Sequence, residues 1–110
     1  MKTLPYVRFL NLVRELNQST PTLERCISLL AYVDDRQLAG KPVSSTDLVQ
    51  KLDFGTGPTV YKKISQLIDS GYLKSTVNED DARVKLLHIT PEGHALLERY
   101  DSLMKQALLS

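Results

Sequence analysis

Several residue types that define common protein classes are scarce in this 110-residue chain. It contains one cysteine, Cys26, two histidines, no tryptophan and 6% aromatic residues, and its formal net charge is +1. One cysteine excludes an internal disulfide, and no Cys and His spacing fits a zinc site. No apolar run approaches the roughly 18 to 20 residues of a membrane span, and residues 1–17 lack a secretory cleavage pattern. We therefore expect a cytoplasmic protein that binds no metal or other cofactor and does not enter a membrane.

Groups that could support catalysis are also few. His88 lies in a predicted strand and His94 in the first turns of a predicted helix, and neither has a nucleophile or a carboxylate constellation around it. Cys26 falls on a predicted core helix, whereas a redox-sensing thiol has to be exposed and activated. We expect no catalytic residue, no enzymatic activity and a structural role for Cys26.

The stretch from residue 44 to residue 90 has the most informative order of elements. A short helix is followed by a Gly-rich turn around Gly55, and then by a longer helix over 57–70. Val60, Ile64, Leu67 and Ile68 fall at i, i+4, i+7 and i+8 of that longer helix, and we expect all four to point inward. Two strand-like segments with a charged tip come next. This order outlines a winged helix-turn-helix, with 57–70 as its second helix and 77–84 as its wing.

The predicted fold class is mainly α (α+β), with about five helices and a two-stranded β-wing. The length allows a single domain over 1–110, with an N-terminal helix in 1–20, the winged core in 21–90 and a C-terminal helix in 91–110. The N-terminal helix is apolar on more than one side, and the C-terminal helix carries an apolar stripe to its end; this excess apolar surface indicates burial against a second copy of the chain. Alternatively, the two helices pack on each other within one chain. The residues predicted at a dimer interface are Tyr6, Phe9, Leu10, Val13, Leu97, Tyr100, Met104 and Leu108.

The second helix of such a motif can enter the major groove of DNA, which is wide enough to admit a helix. Short hydroxyl side chains and cations around its N-terminus suit contacts to phosphates and base edges. The alternative is that Lys62 and Lys63 belong to an ordinary solvated face. The residues predicted to contact DNA are Ser45, Thr56, Thr59, Lys62, Lys63, Gln66, Lys74, Arg83 and Lys85.

Three short segments resemble a known family. The segments 81–83 (DAR) and 87–93 (LHITPEG) resemble the wing signature of the MarR family of bacterial transcription regulators, and 67–73 (LIDSGYL) resembles the end of its recognition helix. The resemblance implies a homodimeric, nucleoid-associated regulator, in the simplest case a repressor, that binds a palindromic double-stranded site. It also implies that Arg83 enters the minor groove and that Asp81 orients it. Asp81 can equally serve the turn alone.

The chain departs from the family at several points. The family has a Thr-Arg or Ser-Arg pair midway along the recognition helix, where this chain has Tyr61 and Lys62, and Tyr61 is either core or contact. Between residues 47 and 90, six Lys or Arg are balanced by six Asp or Glu. Two alternative functions follow: a winged-helix module for protein–protein contact, and a phage or plasmid DNA-binding accessory protein. The family has an effector pocket below its dimer helices, but no residue here identifies a small-molecule effector.

Overall fold

The computed structural model describes residues 4–18, 26–50 and 54–109. Within them the chain forms five helices and three strands. In chain order these are α1 (Pro5–Asn17), α2 (Ile27–Leu38), β1 (Val43–Ser44), α3 (Ser45–Gln50), α4 (Gly57–Asp69), β2 (Leu73–Val77), β3 (Lys85–Ile89) and α5 (Pro91–Leu109). The predicted fold class, a mainly α winged helix, is confirmed. The predicted boundary near residue 20 lies in the segment 19–25, outside the described residues.

The sheet has one strand more than the two-stranded wing that we predicted. Its strands are antiparallel in the order β1-β3-β2, with Val43 opposite Leu87 in β1 and β3. A two-residue strand is too short to show a period of alternating side chains, so sequence reasoning missed β1. Beyond the end of β1, the side chain of Gln37 on α2 continues the edge, since its Oε1 accepts a hydrogen bond from the Ile89 amide at 2.8 Å.

The core lies where α2, α3, α4 and the sheet meet. The largest fully buried side chains include Leu29 and Leu30 of α2, Leu48 of α3, Leu67 of α4 and Leu87 of β3. Burial of such side chains is the main term that holds the motif together, at about 1.5 to 3 kcal/mol each. This packing determines which face of α4 is left to solvent.

Helices α1 and α5 pack on each other and extend away from this core. The Tyr100 hydroxyl on α5 donates a hydrogen bond of 2.6 Å to the Asn17 side-chain oxygen at the end of α1. The chain measures 56 × 27 × 24 Å, and its radius of gyration is 15.5 Å, against about 13 Å for a compact domain of this length. The elongation leaves much of the α1 and α5 surface without intramolecular cover.

Candidate nucleic-acid interface

The turn between α3 and α4 is held by the side chain of Lys63. Its ammonium donates a hydrogen bond of 3.0 Å to the Phe54 carbonyl oxygen, and the Phe54 ring packs edge-on against Tyr32 at a centroid distance of 5.8 Å. Gly55 has a φ of +125°, which favours glycine at this position. The chain therefore enters α4 in one orientation, and Lys63 is occupied by the turn rather than directed away from the protein.

One face of α4 is buried and the opposite face is exposed. Val60, Ile64 and Leu67 are buried in the core, so Lys62 and Ser65 lie on the side that faces away from it. The prediction for Ile68 was wrong: it is 36% exposed, because it lies at the edge of the buried face. Ser65 was missed by sequence reasoning, although it follows Lys62 by three residues on the face opposite the predicted apolar stripe. Its position could have been found from that spacing.

Three further predicted contacts belong to this region: Thr56, Thr59 and Gln66. Thr56 precedes α4 as its N-cap residue but makes no side-chain capping bond; its hydroxyl donates instead to the Thr59 hydroxyl at 3.0 Å, and both residues are exposed. Gln66 is half-buried, and its Oε1 lies 3.6 Å from the Cys26 sulfur. The side-chain oxygen of Gln66 is thus directed at the start of α2. The position of Gln66 along α4 did not predict this contact.

The wing loop, residues 78–84, is built from short polar turns. The Asn78 side-chain oxygen accepts a bond from the Asp80 amide at 2.9 Å. Asp81 Oδ1 accepts two bonds from Arg83, one from the backbone amide at 3.0 Å and one from the guanidinium Nε at 3.3 Å. The Arg83 side chain is 91% exposed and that of Asp81 41%. The two roles weighed for Asp81 are therefore combined in one carboxylate, which shapes the turn and also holds the arginine.

A groove separates α4 from the wing, with a cavity volume of about 350 Å³. We call it the wing groove. Its lining joins hydroxyl side chains, a few apolar side chains and two cations, and it includes no carboxylate: Ser45, Thr46, Tyr61, Ile64, Ser65, Ile68, Ser75, Arg83, Lys85 and Leu87. Three of the predicted DNA contacts, Ser45, Arg83 and Lys85, are brought together here.

The sheet decides which wing cations reach the groove. Ser75 on β2 and Lys85 and Leu87 on β3 line the groove. Side chains alternate between the two faces of a strand, so Lys74, the neighbour of Ser75, points to the other face. There it lies opposite His88 in the strand pairing. Lys74 is thus separated from the other predicted contacts. The sequence did not predict this, because the polar residues of β2 do not show which of its two faces is directed at α4.

The balanced charge of the motif is segregated in space. Arg83 and Lys85 line the wing groove, whereas Glu79 and Asp80 lie in the exposed wing loop and are not part of its lining. Asp69 is exposed at the C-terminal end of α4. Asp81 does not line the groove either, but its Oδ1 lies 3.3 Å from Arg83 Nε and offsets part of that charge. The net count over the sequence therefore hides a local excess of positive charge in the groove, to which Lys85, a cation without an ion pair among the described residues, contributes most.

A helix-turn-helix followed by a wing defines the winged-helix class, and the cations of the wing groove are suited to bind phosphates. The family model of the winged helix DNA-binding domain matches residues 23–93, more than half of the chain. The chain therefore belongs to the winged helix DNA-binding domain family. This family is one of transcription regulators and not of enzymes.

Solved structures give the same fold. A mutant of MepR from S. aureus bound to an oligodeoxyribonucleotide matches 99% of this chain and 83% of its own, with 25% identity and a TM-score of 0.67. BpsR of Bordetella bronchiseptica, whose DNA binding is regulated by 6-hydroxynicotinic acid, matches 96% of this chain and 71% of its own, with 24% identity and a TM-score of 0.64.

A MarR-like transcription regulator of Bacillus cereus matches 94% of this chain and 71% of its own, with 14% identity and a TM-score of 0.62. A comparison with curated proteins gives no significant match. The family model and these structures together confirm the MarR-like resemblance and identify a DNA-binding transcription regulator.

Neither a metal centre nor a membrane span is found in the described part of the chain. Across residues 4–18, 26–50 and 54–109, no group of three or more His, Cys, Asp or Glu side chains is placed to hold a metal ion. No helix among these residues is long and apolar enough to span a bilayer.

Proposed function

We propose that this chain is a sequence-specific regulator that binds double-stranded DNA as a homodimer, with α4 in the major groove and the wing loop in the adjacent minor groove. The wing groove carries the proposal, because its charged lining is entirely cationic despite the balanced charge of the motif. The proposed contacts are Ser45, Thr56, Thr59, Lys62, Arg83 and Lys85. Lys63, Gln66 and Lys74 are left out, since the first two are engaged within the protein and the third lies on the other sheet face.

The wing tip supplies the minor-groove element of this proposal. A narrow minor groove concentrates negative potential and attracts an inserted arginine. Arg83 is almost fully exposed and is held at Nε by Asp81. A bond at Nε leaves the two terminal nitrogens of the guanidinium available, so the orienting contact and the DNA contact do not compete.

The exposed surface of α1 and α5 supports pairing of two copies. Four of the eight predicted interface residues expose 45% to 69% of their surface: Tyr6, Leu10, Met104 and Leu108. Leu4 and Val7 add to this apolar area. Such patches are rarely left uncovered on a monomer. A two-fold dimer would present two copies of α4 to a palindromic site.

The other predicted interface residues are used inside the chain. Leu97 and Tyr100 pack against the core cluster, and the Tyr100 hydroxyl bonds to Asn17. Phe9 and Val13 are half-buried on α1, which packs on α5. Packing within one chain and packing against a second copy therefore use different faces of α1 and α5. The inner faces contact each other, and the outer faces are proposed to contact the second copy.

Repression is the simplest consequence of this binding mode. A dimer that covers one face of a promoter excludes other proteins from the same grooves without any further contact. A reporter gene placed behind the bound sequence would distinguish the two signs of regulation, since expression should fall when the protein is supplied.

Fluorescence anisotropy on a labelled random-sequence duplex tests DNA binding. We expect affinity at low salt that falls steeply as salt rises, because cations that contact phosphates release counterions. The variant Lys62→Ala/Arg83→Ala should weaken binding at least tenfold, at about 1 kcal/mol or more for each contact. Its control, Lys41→Ala/Arg99→Ala, makes the same change in net charge at two exposed residues that are neither predicted DNA contacts nor predicted interface residues. No affinity at low salt would contradict the proposal and favour a protein–protein module.

Sedimentation velocity tests the dimer separately. Leu10→Glu places a charge in the proposed interface and should convert the protein to a monomer at micromolar concentration. Leu38→Glu is the matched control, because Leu38 at the end of α2 is 76% exposed and lies outside the proposed interface. A wild-type protein that sediments as a monomer would contradict the dimer, whatever its affinity for DNA.

A further inference from the structure

We infer that Tyr61 is a DNA-backbone contact: its ring and hydroxyl hold the phosphodiester strand that runs through the wing groove. This inference rests on the proposed function and adds a residue to it. Tyr61 was not among the predicted DNA contacts, and its position departs from the Thr or Ser of the MarR family.

The path of the strand follows from the geometry of B-DNA. One phosphodiester strand separates each major groove from the adjacent minor groove. If α4 occupies the major groove and the wing loop the minor groove, that strand has to pass between them. The depression between α4 and the wing is the wing groove, so the strand lies there. Arg83 and Lys85 on the wing side supply the charge that phosphates require.

Tyr61 forms part of the α4 wall of this groove. Its side chain is 51% exposed, whereas its neighbour Val60 is fully buried, so Tyr61 is not a core residue. The hydroxyl makes no hydrogen bond within the described part of the chain. Ser65 and Ile68 continue the same wall along the helix. The exposed Tyr61 ring, with a hydroxyl that has no partner in the described part of the chain, therefore faces the groove in which the DNA strand is proposed to run.

The chemistry of a phenol suits a sugar-phosphate backbone. The apolar ring can cover a deoxyribose while the hydroxyl donates to a phosphate oxygen. Such a contact needs only two side-chain torsions to be fixed, so little conformational entropy is lost. It carries no sequence information, because every nucleotide presents the same sugar and phosphate. Tyr61 therefore adds affinity on every duplex, while base reading remains with other residues of α4.

The test compares Tyr61→Phe with wild type on two duplexes of about 24 bp, long enough for two half-sites one helical turn apart. One is a random-sequence pool, and the other is a single sequence enriched from that pool by repeated binding selection. The matched control is Tyr72→Phe, since Tyr72 packs against the core and does not line the groove. We expect Tyr61→Phe to lose about tenfold in affinity on both duplexes, and Tyr72→Phe to bind as wild type does.

The salt dependence separates this contact from a charged one. Loss of a neutral hydroxyl releases no counterion, so Tyr61→Phe should keep the wild-type slope of log affinity against log salt. Lys85→Gln should reduce that slope by about 2 in a dimer, near 0.9 for each phosphate that the lysine no longer neutralises. Thermal melting of each variant checks that the fold is retained, and Tyr61→Phe removes only one exposed oxygen.

Each outcome decides the inference. Equal loss on both duplexes with an unchanged slope supports it. Wild-type affinity of Tyr61→Phe on both duplexes overturns it while leaving the proposed function intact. A loss confined to the selected sequence also overturns it and makes Tyr61 a base-reading residue. Failure of the wild-type protein to bind either duplex overturns the proposed function and this inference together.

Discussion

Gly93 in the first turn of α5 lies directly against the backbone of Tyr72. A Cβ atom at position 93 would overlap the Tyr72 carbonyl oxygen and would approach Ile89 Cγ1 to 2.8 Å. The Tyr72 carbonyl also accepts a hydrogen bond of 3.1 Å from the Thr90 amide. The last glycine of the wing signature is thus explained by a close approach of two backbones, where α5 begins beside the core.

Gly93→Ala should destabilise the protein. Alanine gains about 1 kcal/mol over glycine in helix propensity, but overpacking against a fixed backbone costs about 1 to 3 kcal/mol or more, and here the clash meets backbone atoms. We expect the free energy of unfolding in urea to fall by roughly 2 kcal/mol. Gly57→Ala is the control, since a Cβ there would meet Val49 Cγ1 at an ordinary 3.4 Å. Equal stability of both variants would contradict the role assigned to Gly93.

Thr90→Ala should destabilise the start of α5. The Thr90 hydroxyl accepts a bond from the Gly93 amide at 3.0 Å and donates one to the Gly71 carbonyl oxygen at 2.6 Å. Loss of an N-cap side chain costs about 1 to 2 kcal/mol. Thr90→Ser keeps the hydroxyl and should retain most of the stability in the same urea titration. A serine variant as unstable as the alanine variant would show that the methyl group, not the hydroxyl, matters.

Asp81→Ala should weaken DNA binding although it removes a negative charge. The carboxylate holds both the amide and Nε of Arg83, and without it the arginine is no longer oriented before binding. We expect about a threefold to tenfold loss of affinity for a random-sequence duplex at low salt, equivalent to about 1 kcal/mol.

Two comparisons make this prediction specific. Asp80→Ala removes the same charge one residue away and should raise affinity, because repulsion of phosphates is its only expected effect. In an Arg83→Ala background, Asp81→Ala should no longer weaken binding, since there is no arginine left to orient. If Asp81→Ala raises affinity in the wild-type background, the carboxylate does not orient Arg83 at DNA.

The stability of the protein should fall at high pH through Cys26. Burial raises the pKa of the Cys26 thiol, and the nearby Lys63 ammonium lowers it by less. The unfolded chain therefore loses this proton first, near the ordinary cysteine pKa of about 8.5. The buried neutral thiol therefore contributes fully to the free energy of unfolding below that pH, and this contribution is lost as the pH rises toward the thiol pKa of the folded protein.

Urea unfolding between about pH 7 and pH 10 measures this effect when wild type is compared with Cys26→Ala. We expect wild type to be more stable at neutral pH, because the alanine variant leaves a small cavity. The difference between the two should shrink as the pH rises. A stability difference that is constant over this range would show that folding does not change the pKa of the Cys26 thiol.

The elements of the fold follow from local patterns. The stripe of Val60, Ile64 and Leu67 predicts α4. The glycines at 55 and 71 predict turns, and in the structure both adopt the positive φ that favours glycine. The wing signature predicts the hairpin and the family. The third strand was missed because β1 has only two residues and is a strand only through its pairing with β3.

The sequence by itself determined the family and the order of the helices, because each depends on residues close together in the chain. For Asp81 it left the orienting role and the turn role open. Only the tertiary structure decided which polar side chains share a surface. Lys63 and Gln66 are engaged by Phe54 and Cys26, and Tyr61 lies beside the wing. Side-chain direction on a helix or strand depends on what packs against its other face, and that partner is far away in the sequence.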